Sequence, residues 1–129
     1  MLVQFTTWDI LRSLLEAGRW TLALSLIAFV LGGAAGLLIL CARLARNRLS
    51  RGFARLYIEV FQGTPLLMQL FILFFGFSLL GMDVSPWFAA ALGLTLFTSA
   101  YLAEIWRGCV EAVPKGQWEA STSLALSWG

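Results

Sequence analysis

The chain has 129 residues, 60% of them hydrophobic and only 12% charged, with nine Lys and Arg against seven Asp and Glu. Average soluble chains carry about 25% charged residues, so the class indicated is a helical membrane protein of bacterial type. The lack of His excludes imidazole metal sites and Ser/His or Cys/His catalysis, two cysteines are too few for a thiolate cluster, and a net charge of +2 is too small to suggest nucleic acid.

Residues 1–19 are expected to form an N-terminal interfacial segment or, alternatively, a leader into the first span. Within it Thr7–Glu16 has the pattern of a short amphipathic helix, with Thr7 as cap, Ile10, Leu11, Leu14 and Leu15 on one side and Trp8 as anchor. It is not a secretory signal: Asp9, Arg12, Glu16 and Arg19 precede an apolar run longer than the 7–15 residues, roughly, of a signal core. Three uncharged or nearly uncharged runs come next, Trp20–Ala42, Val60–Met82 and Val84–Ala103. At about 1.5 Å per residue each reaches roughly 30 Å, the thickness of a bilayer core, and each is expected to span it.

Arg43, Arg46, Arg48, Arg51 and Arg55 lie between the first two runs, opposed by Glu59 alone, whereas the Gly81–Pro86 connection holds Asp83 and no basic residue. Basic loops stay inside, which predicts a periplasmic N-terminus and a cytoplasmic C-terminus in a bacterial inner membrane. A voltage-sensing helix is disfavoured: each Arg at mid-bilayer would cost about 2.5–3.5 kcal/mol, and the 3, 2, 3, 4 spacing breaks the every-third-residue pattern. Cys41 and Cys109 beside the cytoplasmic segments are read as reduced thiols.

Inside the first run, Gly32 and Gly36 sit one turn apart and suit close helix packing. At the head of the second, Gly63-Thr64-Pro65 predicts a helix break with Pro65 in the first turn of the next helix. Gln69, one turn on, is a candidate for an interhelical hydrogen bond or for a pathway lining. In the third run Thr95, Thr98 and Tyr101 share a face, and Glu104 and Arg107 are spaced to pair. No paired carboxylates or other catalytic constellation is present, and no GxxxxGK[ST] loop for nucleotide.

After the third run, Pro114 and Gly116 allow a turn, and Gln117–Trp128 is expected to be helical. On a helical wheel Trp118, Ala120, Leu124, Ala125 and Trp128 cover one arc, Glu119, Thr122, Ser123 and Ser127 lie opposite, and Leu126 falls among the polar residues. An apolar arc against the membrane part and an outer Leu suit docking to a soluble partner; an ordinary interfacial helix is the plainer alternative.

Three segments in order carry a family resemblance. Phe61-Gln62-Gly63-Thr64-Pro65-Leu66-Leu67-Met68-Gln69-Leu70-Phe71 resembles the FRGTPLLVQLF-like segment of permeases of the polar amino-acid (His/Glu/Gln/Arg/opine) ABC importers. Tyr101–Gly108 resembles their AYLAEIxRG segment, and Val113–Ala120 is similar to the VPKGQWEA stretch that opens their cytoplasmic EAA motif. The resemblance implies an all-α transmembrane fold, the N-terminal part of a five-span type I (MetI-like) permease: three spans plus a cytoplasmic coupling helix.

It further implies a transport subunit rather than an enzyme, with no cofactor bound by this chain and ATP used by a partner. The partners implied are a cytoplasmic ABC ATPase dimer, a second permease subunit, a periplasmic amino-acid-binding protein and the lipid bilayer, without nucleic acid. Gln117, Glu119, Ala120, Thr122 and Leu126 are then the expected ATPase-docking residues. Ser121 replaces the motif's second Ala, Ala125 stands where the family has Gly, and Gln62 replaces an Arg. The chain stops at Gly129, where family members continue into two more spans, so a partial permease, incompetent alone, is expected. A non-transporting three-span scaffold or assembly fragment is the alternative, and a channel ranks behind it.

Overall fold

The computed structural model describes residues 6–124 and Leu126, all helix and short connections. Helix α1, Thr7–Leu44, is continuous over 38 residues, about 57 Å. The short leader helix and the first apolar run are therefore one element. No Pro or turn interrupts Ala17-Gly18-Arg19, and an Arg12–Glu16 pair (3.3 Å) one turn apart bridges the approach. The N-cap is Thr6 rather than Thr7: the Asp9 carboxylate accepts from the Thr6 N–H at 3.2 Å. Thr21 and Ser25 return their hydroxyls to the carbonyls of Ala17 (3.2 Å) and Thr21 (2.8 Å), leaving no free donor on an apolar surface.

Asn47 starts α2, Arg48–Gly63, by accepting from the Leu49 N–H at 3.0 Å. Helix α3, Leu66–Leu79, comes at once, bent from α2 by 103°. The break expected within Val60–Met82 is present: the first residues of that run end α2, and the 14 residues of α3 rise only about 21 Å. Two helices, α1 and the later α4, are long and apolar enough to cross a membrane alone; a third crossing requires the bent α2–α3 pair.

Gly81, at φ +76°, turns the chain after α3 in a conformation that costs glycine nothing. Ser85 caps α4, Pro86–Glu111, accepting from the Phe88 N–H at 3.2 Å, with Pro86 at its start. Helix α5, Lys115–Ser123, closes the described chain. The helix expected over Gln117–Trp128 therefore ends earlier; Leu126 N–H closes its end on the Ser121 carbonyl at 3.1 Å, while Ala125, Ser127 and Trp128 lie outside the described residues.

The core is the α1–α4 pair, which run in the same direction. Trp20 meets Trp87 at one end (centroids 4.7 Å), and Gly36 meets Ser99 and Ala103 further along. Gly32 and Gly36 are buried, and the approach is close: a Cβ on Gly32 would lie 2.9 Å from Thr98 Cβ, and one on Gly36 3.0 Å from the Ser99 carbonyl oxygen. The packing read from the glycine spacing is what forms. Ala54 and Ile58 bury α2 against this pair, and Leu70 of α3 covers Gly93 of α4.

Candidate functional site: the helix break and the α5 segment

Pro65 has no N–H to extend α2, and Thr64, held extended before it at φ −115° and ψ 140°, ends the helix. Pro65 is the N-cap of α3 rather than a first-turn residue, its carbonyl accepting from Gln69 N–H at 3.2 Å. Ending a helix leaves its last carbonyls without partners. Two are met here by side chains. Thr64 Oγ1 donates to the Val60 carbonyl at 2.8 Å, and Gln69 Nε2 reaches back to the Phe61 carbonyl at 2.9 Å. The same amide nitrogen lies 2.7 Å from Thr64 Oγ1 and 3.0 Å from the Thr64 carbonyl, so two N–H groups serve three acceptors.

Gln69 is 8% exposed. It joins consecutive helices across the break rather than separate spans, and its Oε1 is buried without a partner. A cavity of about 200 Å³ adjoins it, walled by Val60, Phe61, Ile72, Leu73 and Leu96.

The α4 hydroxyls divide. Thr98 packs on Gly32, Thr95 Oγ1 is buried without a partner, and Tyr101 is 39% exposed beside Phe97. The expected shared face thus runs from the α1 contact at Thr98 to the partly exposed Tyr101. Sequence reading missed Tyr57, whose hydroxyl lies 2.8 Å from Ser99 Oγ and 3.0 Å from the Leu96 carbonyl. Ser99, fully buried, is 2.7 Å from that same carbonyl, so Tyr57 ties α2 to the centre of α4. The signal for it was position: Tyr57 adjoins Ile58 and lies one turn from Ala54 and Phe61 on the face α2 buries.

Towards the end of α4, Arg107 Nε donates to Glu104 at 3.0 Å, the anticipated pair, and the guanidinium also reaches Glu111. Beyond it comes α5. Gln117, Glu119, Ala120 and Thr122 are exposed, as are Leu124 at 74% and Leu126 at 62%; Trp118 and Ser121 are half-buried. Of the expected inward arc, Trp118 is half-buried while Ala120 and Leu124 are exposed in this chain. The hydroxyls of Ser121 and Thr122 turn back to the Trp118 carbonyl, both at 2.8 Å, leaving the outer surface to Gln117, Glu119 and the apolar groups. Among the described residues no group of His, Cys, Asp or Glu is arranged to hold a metal.

An apolar helical pair packed through glycines, a helix pair broken at Gly-Thr-Pro and a short helix after α4 are features of an integral membrane protein. Residues 28–129 match the family of binding-protein-dependent transport system inner membrane components, and the chain belongs to it. It is 44% identical over 109 residues to the probable amino-acid ABC transporter permease protein YckA of Bacillus subtilis, covering 84% of this chain and 48% of that one. It is 34% identical to the L-cystine transport system permease protein TcyB of Bacillus subtilis over 98% of this chain and 53% of the relative. A crystal structure of an amino acid ABC transporter with histidines superposes with a TM-score of 0.86 at 35% identity, over 98% of this chain and 60% of that one. The chain spans about half the length of the curated relatives it matches.

Proposed function

We propose that this chain forms part of the permease subunit of an ATP-driven importer that moves polar amino acids across the bacterial inner membrane. The observation that carries the reading is α5, a nine-residue exposed helix directly after the last apolar span in a chain of this family. Gln117, Glu119, Ala120, Thr122 and Leu126 offer a mixed polar and apolar surface for a cytoplasmic ATPase dimer. A second permease subunit and a periplasmic binding protein complete the assembly. ATP hydrolysis belongs to the partner. The N-terminus is periplasmic and the α5 end cytoplasmic, as the arginine cluster between α1 and α3 favours.

In this reading, closure of the ATPase dimer displaces α5, and the movement passes through Ala112–Pro114 into α4. Because α4 is locked to α1 by backbone-close contacts at Gly32 and Gly36, the two move as one body. Helix α2 is tied to α4 through Tyr57, so α3, beyond the Gln69 break, is the element that can change angle against them. The test is uptake of labelled polar amino acids by proteoliposomes carrying the permease that includes this chain, its ATPase and its binding protein. Uptake should require internal ATP and all three components. Uptake that persists without the ATPase would overturn the reading in favour of a channel or a secondary carrier.

A further inference from the structure

Between the last turn of α1 and the start of α2 lies a cavity of about 310 Å³ lined by Arg43, Arg48, Arg51, Gly52 and Arg55. Arg48, Arg51 and Arg55 share one face of α2, and Gly52 leaves the floor between them open. The ion pairs among the described residues are Arg12–Glu16, Arg107–Glu104 and Arg107–Glu111, so none of the four cavity arginines is neutralised. Glu59 stands one turn beyond Arg55 without pairing to it, and Glu104, whose carboxylate feels the charge of Arg43, is engaged by Arg107. Arg43 Nε is buried without a hydrogen-bond partner. Converging guanidinium groups repel one another and leave donors unmet unless an anion sits among them, and their planar forks match phosphate oxygens in pairs.

The position of the cavity selects the source of that phosphate. Arg43 directly succeeds the apolar run that ends at Ala42, where α1 leaves the hydrocarbon. Helix α2 carries a second arc that is apolar and exposed, Leu49 at 80%, Phe53 at 73% and Leu56 at 59%. A helix with a basic arc and an exposed apolar arc lies in a membrane surface, where headgroup phosphates are the concentrated anion. We propose that the Arg43–Arg48–Arg51–Arg55 cavity is a binding site for the phosphate of an anionic phospholipid, which pins the α1–α2 corner to the headgroup layer.

The test titrates the purified full chain, in neutral detergent, with phosphatidylglycerol or with phosphatidylcholine of the same acyl chains, and counts retained lipid by native mass spectrometry. Phosphatidylglycerol should be retained preferentially. Changing Arg48, Arg51 and Arg55 together to Gln should weaken its retention on the order of a hundredfold. Changing the three to Lys, which keeps charge but loses the fork, should still cost about tenfold. Arg46→Gln, outside the cavity, should leave retention unchanged. Equal retention of the two lipids by the native chain would overturn the proposal, and that comparison stands even if a triple variant misfolds. So would a Lys variant binding as well as the native chain, which would mean diffuse surface charge. Displacement of the lipid by an equal concentration of inorganic pyrophosphate would assign the cavity to a soluble anion and refute the lipid site.

Discussion

Gln69 Nε2 donates to the Phe61 carbonyl at 2.9 Å, across the break between α2 and α3. A residue expected to make an interhelical hydrogen bond or to line a pathway bonds across the break and is the clamp where the chain bends by 103°. With no water in the bilayer core, a carbonyl freed by Pro65 must be met from within the protein.

Replacing Gln69 by Met keeps the length of the side chain and removes both donors. The Phe61 and Thr64 carbonyls would then lose a partner, and an unmet buried acceptor costs about 1–3 kcal/mol. Gln69→Met should lower stability by that amount when unfolding in a denaturing detergent is monitored by circular dichroism. A variant as stable as the native chain would show that the bend is held by packing alone.

The two helix-packing glycines can be separated from their neighbour by a single methyl. A Cβ at Gly36 meets the Ser99 carbonyl oxygen at 3.0 Å, a backbone atom that cannot swing aside, whereas one at Gly33 finds nothing nearer than 3.9 Å. Gly36→Ala should force α1 and α4 apart and cost about 1–3 kcal/mol, the range for overpacking. Gly33→Ala should be neutral or slightly stabilising. Detergent unfolding of the pair checks this, and equal effects would contradict the close approach.

Much of this architecture is written in composition and spacing. The spans of α1 and α4 arise from apolar runs, and their contact from Gly32 and Gly36. Local chemistry announced the break at Thr64-Pro65 but not its angle, which depends on what α2 packs against. Tyr57 was invisible because its partners, Ser99 and the Leu96 carbonyl, are some forty residues away in sequence. The length of α5 was misjudged. The wheel assumed one helix through Trp128, but α5 ends at Ser123.

Orientation is open to a chemical test in which the structure guides the choice of sites. Ser50 is a poor one because its hydroxyl bonds the Ala42 carbonyl at 3.3 Å; Arg46, between α1 and α2, and Asp83, between α3 and α4, are exposed. In a background with Cys41 and Cys109 replaced by Ser, Asp83→Cys should react with an impermeant maleimide in intact cells. Arg46→Cys should react only after the membrane is opened. Labelling of position 46 from outside would invert the topology and, with it, the proposed cytoplasmic face of α5.

The docking surface can be tested at Leu126, 62% exposed and held against the end of α5 by its N–H bond to the Ser121 carbonyl. In the proposed assembly the ATPase covers this Leu. Burying it on docking would contribute about 1.5–3 kcal/mol, a tenfold or greater change in affinity. Leu126→Asp in the permease that includes this chain should weaken co-purification with the ATPase by about that factor while membrane insertion is unchanged. Ser123→Asp serves as the comparison. Its hydroxyl bonds back to the Glu119 carbonyl at 2.9 Å and is not among the expected docking groups, so its effect should be much smaller. Equal losses from both changes would mean that added negative charge, not the apolar contact, disturbs the complex. No loss from Leu126→Asp would remove Leu126 from the interface and move the search for it to Gln117 and Glu119.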